Sequence, residues 1–236
     1  MPVGHDVRVS VDVSILPDNE EERLAAVRRY EILDTPPDGA FERITRIASH
    51  VLDVPIAIIT IVDHDRIWFK SVEGLDGVEQ IDRVPGLCAS AILSDELYLV
   101  RDAAVDPRTL ANPLVAGELG LRFYAAAPLH TSDGYNLGTM CVIDREPRDL
   151  TDDQAQVLED LAALVVDELE LRLAARRQAR RATELNDDVV QALTIAKLHL
   201  QTGDIDAGVA ALDDALSAGK RILGELVEDA PTLRRS

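Results

Sequence analysis

The run PIAIITIVD, Pro55 to Asp63, constrains the fold most. Between a proline and an acid it is β-branched and apolar almost throughout, which reads as a buried central strand. HDRIWFKSVEG, beginning at His64, is short, aromatic and partly alternating, and so predicts its hairpin partner. Two more strong strands, LRFYAAAPLHT and NLGTMCVID, flank the turn Ser132-Asp133-Gly134-Tyr135. Between the two pairs, Leu75 to Gly86 has no periodicity and predicts a loop long enough to serve as a lid or pocket wall. LCASAIL, Leu87 to Leu93, predicts a short helix, LYLVRDA a short strand, and DPRTLANPLVAGELG a turn-rich stretch with one helical turn.

Upstream, Leu24, Val27 and Tyr30 to Ile32 mark an amphipathic helix that starts near Glu20 and ends at LDTPPDG. A second helix is expected to bury Phe41, Ile44, Ile47, Ala48 and Val51. The whole predicts an α+β domain, an antiparallel sheet with helices on one face. Residues 1–19 predict a tail or an edge strand.

The chain has 236 residues, enough for one ordinary domain plus an appendage or two small domains. Its formal net charge of −19 disfavours phosphate backbones and anionic lipid, so neither nucleic acid nor membrane is expected as a partner. The basic cluster RRQARR, Arg176 to Arg181, spreads around its helix instead of forming one stripe. With no long apolar run and no basic-then-apolar leader, the chain reads as soluble and cytoplasmic. Cys88 and Cys141 lie far apart, without zinc-ligand spacing, and read as buried and reduced; no metal site is expected.

LDTPPDGAFERITRIASHVLDVPIAIITIVDHDRIWFKS, CASAIL, VRDAAVDPR with NPLV, RFYAAAPL and LGTMCVIDREPRDLT follow one another in an order that resembles a GAF domain. The resemblance runs from about Glu20 to Leu171, and more narrowly to the GAF domains of bacterial sensor kinases and cyclic-dinucleotide signalling enzymes. It implies a six-stranded antiparallel sheet, helices behind it, and a small-molecule pocket on the opposite face. The pocket wall it implies comprises Trp68, Phe69, Cys88, Ser90, Ile92, Arg122, Tyr124 and Met140. Where the subfamily often has Cys-Ala-His, this chain has Cys88-Ala89-Ser90, which weakens histidine-linked haem or metal binding. The Asn-Lys-x-Asp-Phe-x-Glu set of cyclic-nucleotide GAF domains is absent, and the bilin-carrying cysteine is not identifiable. The ligand or cofactor is therefore not named by the sequence. One branch of the fold reduces free methionine sulfoxide with clustered cysteines, and an enzyme using Cys88 and Cys141 is the alternative function.

After Thr151 the pattern becomes helical throughout. Thr151, Asp152 and Asp153 supply a cap and first-turn acids. Leu158, Leu161, Val165 and Leu169 then form a narrow stripe, expected to pair with its copy in a second chain as a coiled coil. The stripe dissolves between Leu173 and Leu185 and resumes at Leu185, Val189, Leu193, Ala196 and Leu200. Thr202-Gly203-Asp204 stops that helix, and Ile205, Val209, Leu212, Leu216, Leu223 and Leu226 keep a heptad register in the next. Such a hairpin cannot cover its own apolar faces, whereas two make a four-helix bundle, so a homodimer is expected.

ELNDDVVQAL, Glu184 to Leu193, resembles the phosphotransfer helix of sensor histidine kinases, with Asn186 at the position of the acceptor histidine and Asp187 and Gln191 retained. A carboxamide is a poor nucleophile, and no glycine-rich phosphate loop accompanies it. His199, near the end of that helix, has no neighbouring acid motif to make it an acceptor. The expected organisation is a GAF sensor at 20–150, a connecting coiled-coil helix at 151–181, a kinase-like dimerisation hairpin at 182–228 and a tail at 229–236. The expected function is a non-catalytic dimeric relay to a response-regulator or kinase-like partner.

Overall fold

The computed structural model describes residues 16–110, 112–117 and 119–228, with backbone only for 184–186, 188 and 221–228. The tail readings for residues 1–15 and 229–236 lie outside the described residues. The chain divides into two compact units, one ending at Leu171 and one beginning at Arg172.

In the first unit, α1 (Glu20–Tyr30) and α2 (Ala40–Leu52) precede β1 (Ile56–Val62) and β2 (Arg66–Glu73). Then come β3 (Gln80–Asp82), α3 (Leu87–Ala91), β4 (Tyr98–Val100), α4 (Pro113–Ala116), β5 (Phe123–His130) and β6 (Asn136–Asp144). The sheet order is β3-β2-β1-β6-β5-β4, every pairing antiparallel. The six-stranded α+β fold is thus as expected, and β1 is its buried centre at all seven positions. The supposed loop from Leu75 to Gly86 does contribute a strand, the three-residue edge β3, too short for any period to show.

Position 2 of every strand step decides which layer a side chain meets. Ile59 and Ile61 of β1 alternate with Ile58 and Thr60, which line a cavity on one face of the sheet. On β2 the register slips between the partners of Ile59 and Thr60, so that Lys70 has no partner on β1. This bulge lets Lys70 and Ser71 both reach the helical layer. Lys70 Nζ donates to Thr35 Oγ1 and the Pro36 carbonyl, and Ser71 Oγ lies 2.9 Å from Thr45 Oγ1 on α2.

The buried face of α2 is Phe41, Thr45, Ala48 and Leu52. Ile47 and Val51, expected inside, are exposed, and the smaller Thr45 is buried instead, its hydroxyl 2.9 Å from that of Ser71. Arg23 is a second departure, a guanidinium only 1% exposed on an otherwise amphipathic helix. It donates to the Val62 carbonyl and to Glu20, which also accepts from Arg83. A buried charge held this way fastens α1 to the ends of β1 and β6.

Helix α5 (Asp152–Thr202) opens with a reciprocal cap, Gln154 N–H donating to Thr151 Oγ1 and Thr151 N–H to Gln154 Oε1. Leu158, Leu161, Val165 and Leu169 are buried within this single chain, at 0%, 5%, 0% and 2% exposure. They form no free coiled-coil seam. The stripe is narrow because its helix lies against the domain: Ala162 and Val166 share a groove with Ala127 and Pro128 of β5, and Tyr30 donates to Glu170 at 2.6 Å.

In the second unit, α5 ends in a Schellman turn. Gly203, at φ 84°, donates to the Leu200 carbonyl and Asp204 donates to that of His199. Asp204 Oδ1 then caps α6 (Ile205–Glu228) by accepting from Ala207 N–H. The two helices meet through small residues. Ala196 and Ala215 are buried, and a Cβ on Gly208 would lie 2.7 Å from the Leu200 side chain. The larger residues are left outside: Leu193, Leu200, Ile205, Val209, Leu212 and Leu216 are all at least 40% exposed, and Val189 is half-buried. Side chains of Leu185, Leu223 and Leu226 lie outside the described residues.

Candidate functional site

On the sheet face away from α1 and α2 lies a cavity of about 170 Å³. β1 supplies Ile58 and Thr60, β2 Phe69, β5 Tyr124, and β6 Cys141 and Ile143. The far wall comes from Leu75 and Val78 of the β2–β3 connection, Ile81, Leu87 and Cys88 of α3, and Leu114, Leu119 and Leu121 around α4. The segment expected to be a pocket wall therefore is one. Asn112 holds this wall together: its Oδ1 caps α4 by accepting from Leu114 N–H, and its Nδ2 donates to the Pro85 carbonyl beside α3.

Among the residues expected in the wall, Phe69, Cys88 and Tyr124 line the cavity. Trp68 and Met140 do not, because strand alternation turns each away from a neighbour that does. Trp68 pairs with Ile61 and lies 5.9 Å from Lys70 Nζ, in the helical layer. Met140 pairs with Ile59 and Ala127, one step from Cys141. Ser90 and Ile92 are not part of the lining; Ile92 is buried in the same apolar cluster, and its carbonyl accepts from Asn136 Nδ2. Arg122 is half-exposed and makes a two-pronged pair with Asp102 at 2.7 and 2.8 Å, which leaves it bracing the β4–α4 connection instead of the cavity.

Thr60 and Thr139 were not foreseen. They face one another across β1 and β6, hydroxyl to hydroxyl at 2.9 Å. The signal was present as a polar residue inside each apolar strand, but the pairing depends on register. Next to them, Tyr124 Oη donates to Cys88 Sγ at 3.2 Å, and Cys88 and Cys141 are free, buried thiols.

Hydrogen bonding with Cys141 draws the Cys88 thiol down to about 6, against the upward push of burial, and the hydroxyls of Tyr124, Thr139 and Thr60 pull the same way. That same bond to Cys88, together with burial, pushes Cys141 well above the usual thiol range. Burial, reinforced by the two cysteines, pushes the Tyr124 hydroxyl well up. Of the two sulfurs, Cys88 is thus the one drawn toward the thiolate and Cys141 the one held toward the thiol.

Thr60, Cys88, Tyr124 and Cys141 are the hydroxyl- or thiol-bearing residues of the lining, and no Asp, Glu, Lys, Arg or His is among them. A phosphate or carboxylate entering here would lose its hydration without gaining a charged partner. Apolar cavities of roughly 150 Å³ take up benzene-sized molecules, which sets the scale of a matching ligand. Among the described residues no group of three or more His, Cys, Asp or Glu is placed to hold a metal.

Residues 36–169, more than half of the chain, match the GAF domain family. The chain belongs to the GAF domain family. This GAF domain accounts for the six-stranded sheet and for a cavity on the face opposite the first two helices. A cyclic di-GMP phosphodiesterase of Pseudomonas aeruginosa is 45% identical over 151 residues, covering 64% of this chain and 26% of the relative. The chain thus spans about a quarter of the length of that curated relative.

Solved structures similar to the GAF domain include the GAF domain from an Acinetobacter phosphoenolpyruvate-protein phosphotransferase, 16% identical with a TM-score of 0.49, covering 67% of this chain and 97% of that domain. The free methionine-R-sulfoxide reductase of Neisseria meningitidis is 20% identical with a TM-score of 0.47, covering 67% and 90%. Neither likeness extends to what those proteins do.

In the second unit, Asp187 and Gln191 are exposed on α5. The Asn186 side chain lies outside the described residues. Among the described residues, no helix is long and apolar enough to cross a membrane.

Proposed function

We propose that this GAF protein is a non-catalytic, dimeric signalling relay whose input is a small uncharged molecule held in the 170 Å³ cavity. The observation that carries the reading is the lining itself, almost wholly apolar with a floor of hydroxyls and thiols. Occupancy would bias the walls contributed by α3 and α4, and a ligand shifts such an equilibrium by its differential affinity for the two states. Helix α5, which begins in the GAF domain and ends in the hairpin, is the connector of the proposal.

The output is a four-helix bundle made by two copies of the α5–α6 hairpin, displayed to a response-regulator or kinase-like partner. The exposed Leu193, Leu200, Val209, Leu212 and Leu216 support it, since an apolar face of this extent is normally covered in a stable protein. The kinase-like helix keeps Asp187 and Gln191 but has Asn186 in place of a nucleophile, so the chain receives no phosphoryl group.

Native mass spectrometry of the full chain tests both halves at once. A dimer carrying a small neutral adduct that leaves on unfolding is the expected spectrum. A monomer at micromolar concentration removes the relay, and tight binding of a cyclic dinucleotide removes the assignment of the ligand class. Incubation with labelled ATP and a separate kinase domain should leave no acid-labile phosphate on this chain.

A further inference from the structure

Cys88 and Cys141 line the same cavity from different elements, α3 and β6, and belong to one buried cluster with Tyr124. Both are reduced in the structure. The Tyr124 hydroxyl points its proton at the Cys88 sulfur from 3.2 Å. A thiol that accepts hydrogen bonds is the nucleophilic member of such a pair, and a protonated neighbour within reach is the resolving one. The apolar walls exclude charged oxidants but admit a water-sized neutral one.

We infer that Cys88 and Cys141 are a peroxide-responsive dithiol, in which hydrogen peroxide entering the cavity closes a disulfide between α3 and β6. In the first step Cys88, having lost its proton, attacks one peroxide oxygen and the O–O bond breaks. Cys88 becomes a sulfenic acid, and the departing hydroxide takes up that proton as water. In the second step the Cys141 sulfur attacks the Cys88 sulfur and the S–O bond breaks. The hydroxide leaves with the Cys141 proton as a second water. The two sulfurs have lost two electrons and two protons, and the peroxide has gained both.

The disulfide fixes the α3 wall of the cavity to the sheet that forms its floor. Oxidation and ligand occupancy then act on one site, which is a stoichiometric switch and not a turnover of substrate. The inference rests on the cavity as the input site. Its readout is a mass change that needs neither a bound ligand nor a dimer, so either proposal fails without taking the other with it.

The test treats the reduced full chain with hydrogen peroxide and measures intact mass, then labels remaining thiols with iodoacetamide after unfolding. The expected result is loss of two hydrogen masses, no labelled thiol, a monomer on a denaturing gel without reductant, and full recovery with dithiothreitol. Cys141→Ser should stop at a Cys88 sulfenic acid trapped by dimedone, and Cys88→Ser should leave Cys141 unreacted at the same exposure. Tyr124→Phe, which removes one charge-assisted hydrogen bond, should slow the wild-type reaction about tenfold at about pH 5, below the Cys88 midpoint. Melting curves of each reduced variant confirm that the fold is kept, and Cys→Ala versions replace any serine that fails. Two labelled thiols after treatment, a disulfide joining two chains, or equal reactivity of Cys141 in Cys88→Ser each overturns the inference.

Discussion

Tyr124 on β5 donates its hydroxyl to the sulfur of Cys88 on α3 across 3.2 Å, inside a cavity whose other walls are almost wholly aliphatic. This bond gives the cavity a chemical direction. It places the most acidic thiol of the protein against a hydroxyl that burial keeps protonated.

The pH dependence of Cys88 follows from its donors. Its deprotonation, read as thiolate ultraviolet absorbance of the folded protein, should be half complete near pH 6. Removing the donor with Tyr124→Phe should move that midpoint up by about one unit. An unchanged midpoint would mean that Tyr124 does not reach the thiolate.

The Leu158 prediction separates burial within one chain from a seam between two. Leu158 is fully buried in the GAF unit, so Leu158→Ala should destabilise that domain by about 2–5 kcal/mol in urea unfolding, at any protein concentration. Dependence on concentration would return the residue to an interface.

The opposite behaviour is expected of the hairpin. Leu212 and Leu216 are 40% and 58% exposed, and the double change Leu212→Asp, Leu216→Asp should convert the sedimenting species to a monomer while the GAF unit melts unchanged. A dimer that survives both aspartates would place its interface elsewhere.

Gly138 on β6 sits directly against β1. An added Cβ would lie 1.9 Å from the Thr60 carbonyl oxygen, a backbone atom of the central strand that cannot step aside. Gly138→Ala should cost about 3 kcal/mol or more in chemical denaturation, with the Thr60–Thr139 contact disrupted. A variant as stable as the parent would mean that β1 and β6 do not approach as described.

Glu20 sets an acid limit. Burial pushes its carboxyl up, but hydrogen bonds and charge from Arg23 and Arg83 override this and bring it from 4.5 to about 2. A depressed carboxylate contributes stability above its unfolded value and loses it as the pH falls toward the folded one. The urea midpoint of the parent should therefore fall between pH 4.5 and 2, and Glu20→Gln, already weaker at pH 7, should fall less over that window.

Much of the architecture was legible because it rests on local pattern. The apolar run of β1, the turn at Gly134 and the stop at Gly203 each identify an element from adjacent residues, and the order of motifs carried the GAF reading. The cavity was legible only by half. Phe69, Cys88 and Tyr124 were expected in it, whereas Trp68 and Met140 face the helices, since a single step along a strand exchanges one face for the other. No local rule sets that phase when both faces are apolar.

By itself, then, the sequence determined which stretches are strands and helices, the departure at Asn186 from a phosphorylatable helix, and the absence of fixed charge in the residues that turn out to line the cavity. Tertiary structure alone decided that Thr60 meets Thr139, that Cys88 and Cys141 share one chamber, and that the Leu158 stripe is spent inside its own domain while the Leu212 stripe stays open. The reason is physical. Helical and strand periods are properties of neighbouring residues, but which apolar stripe is covered, and which polar groups meet, depend on register between segments far apart in the chain.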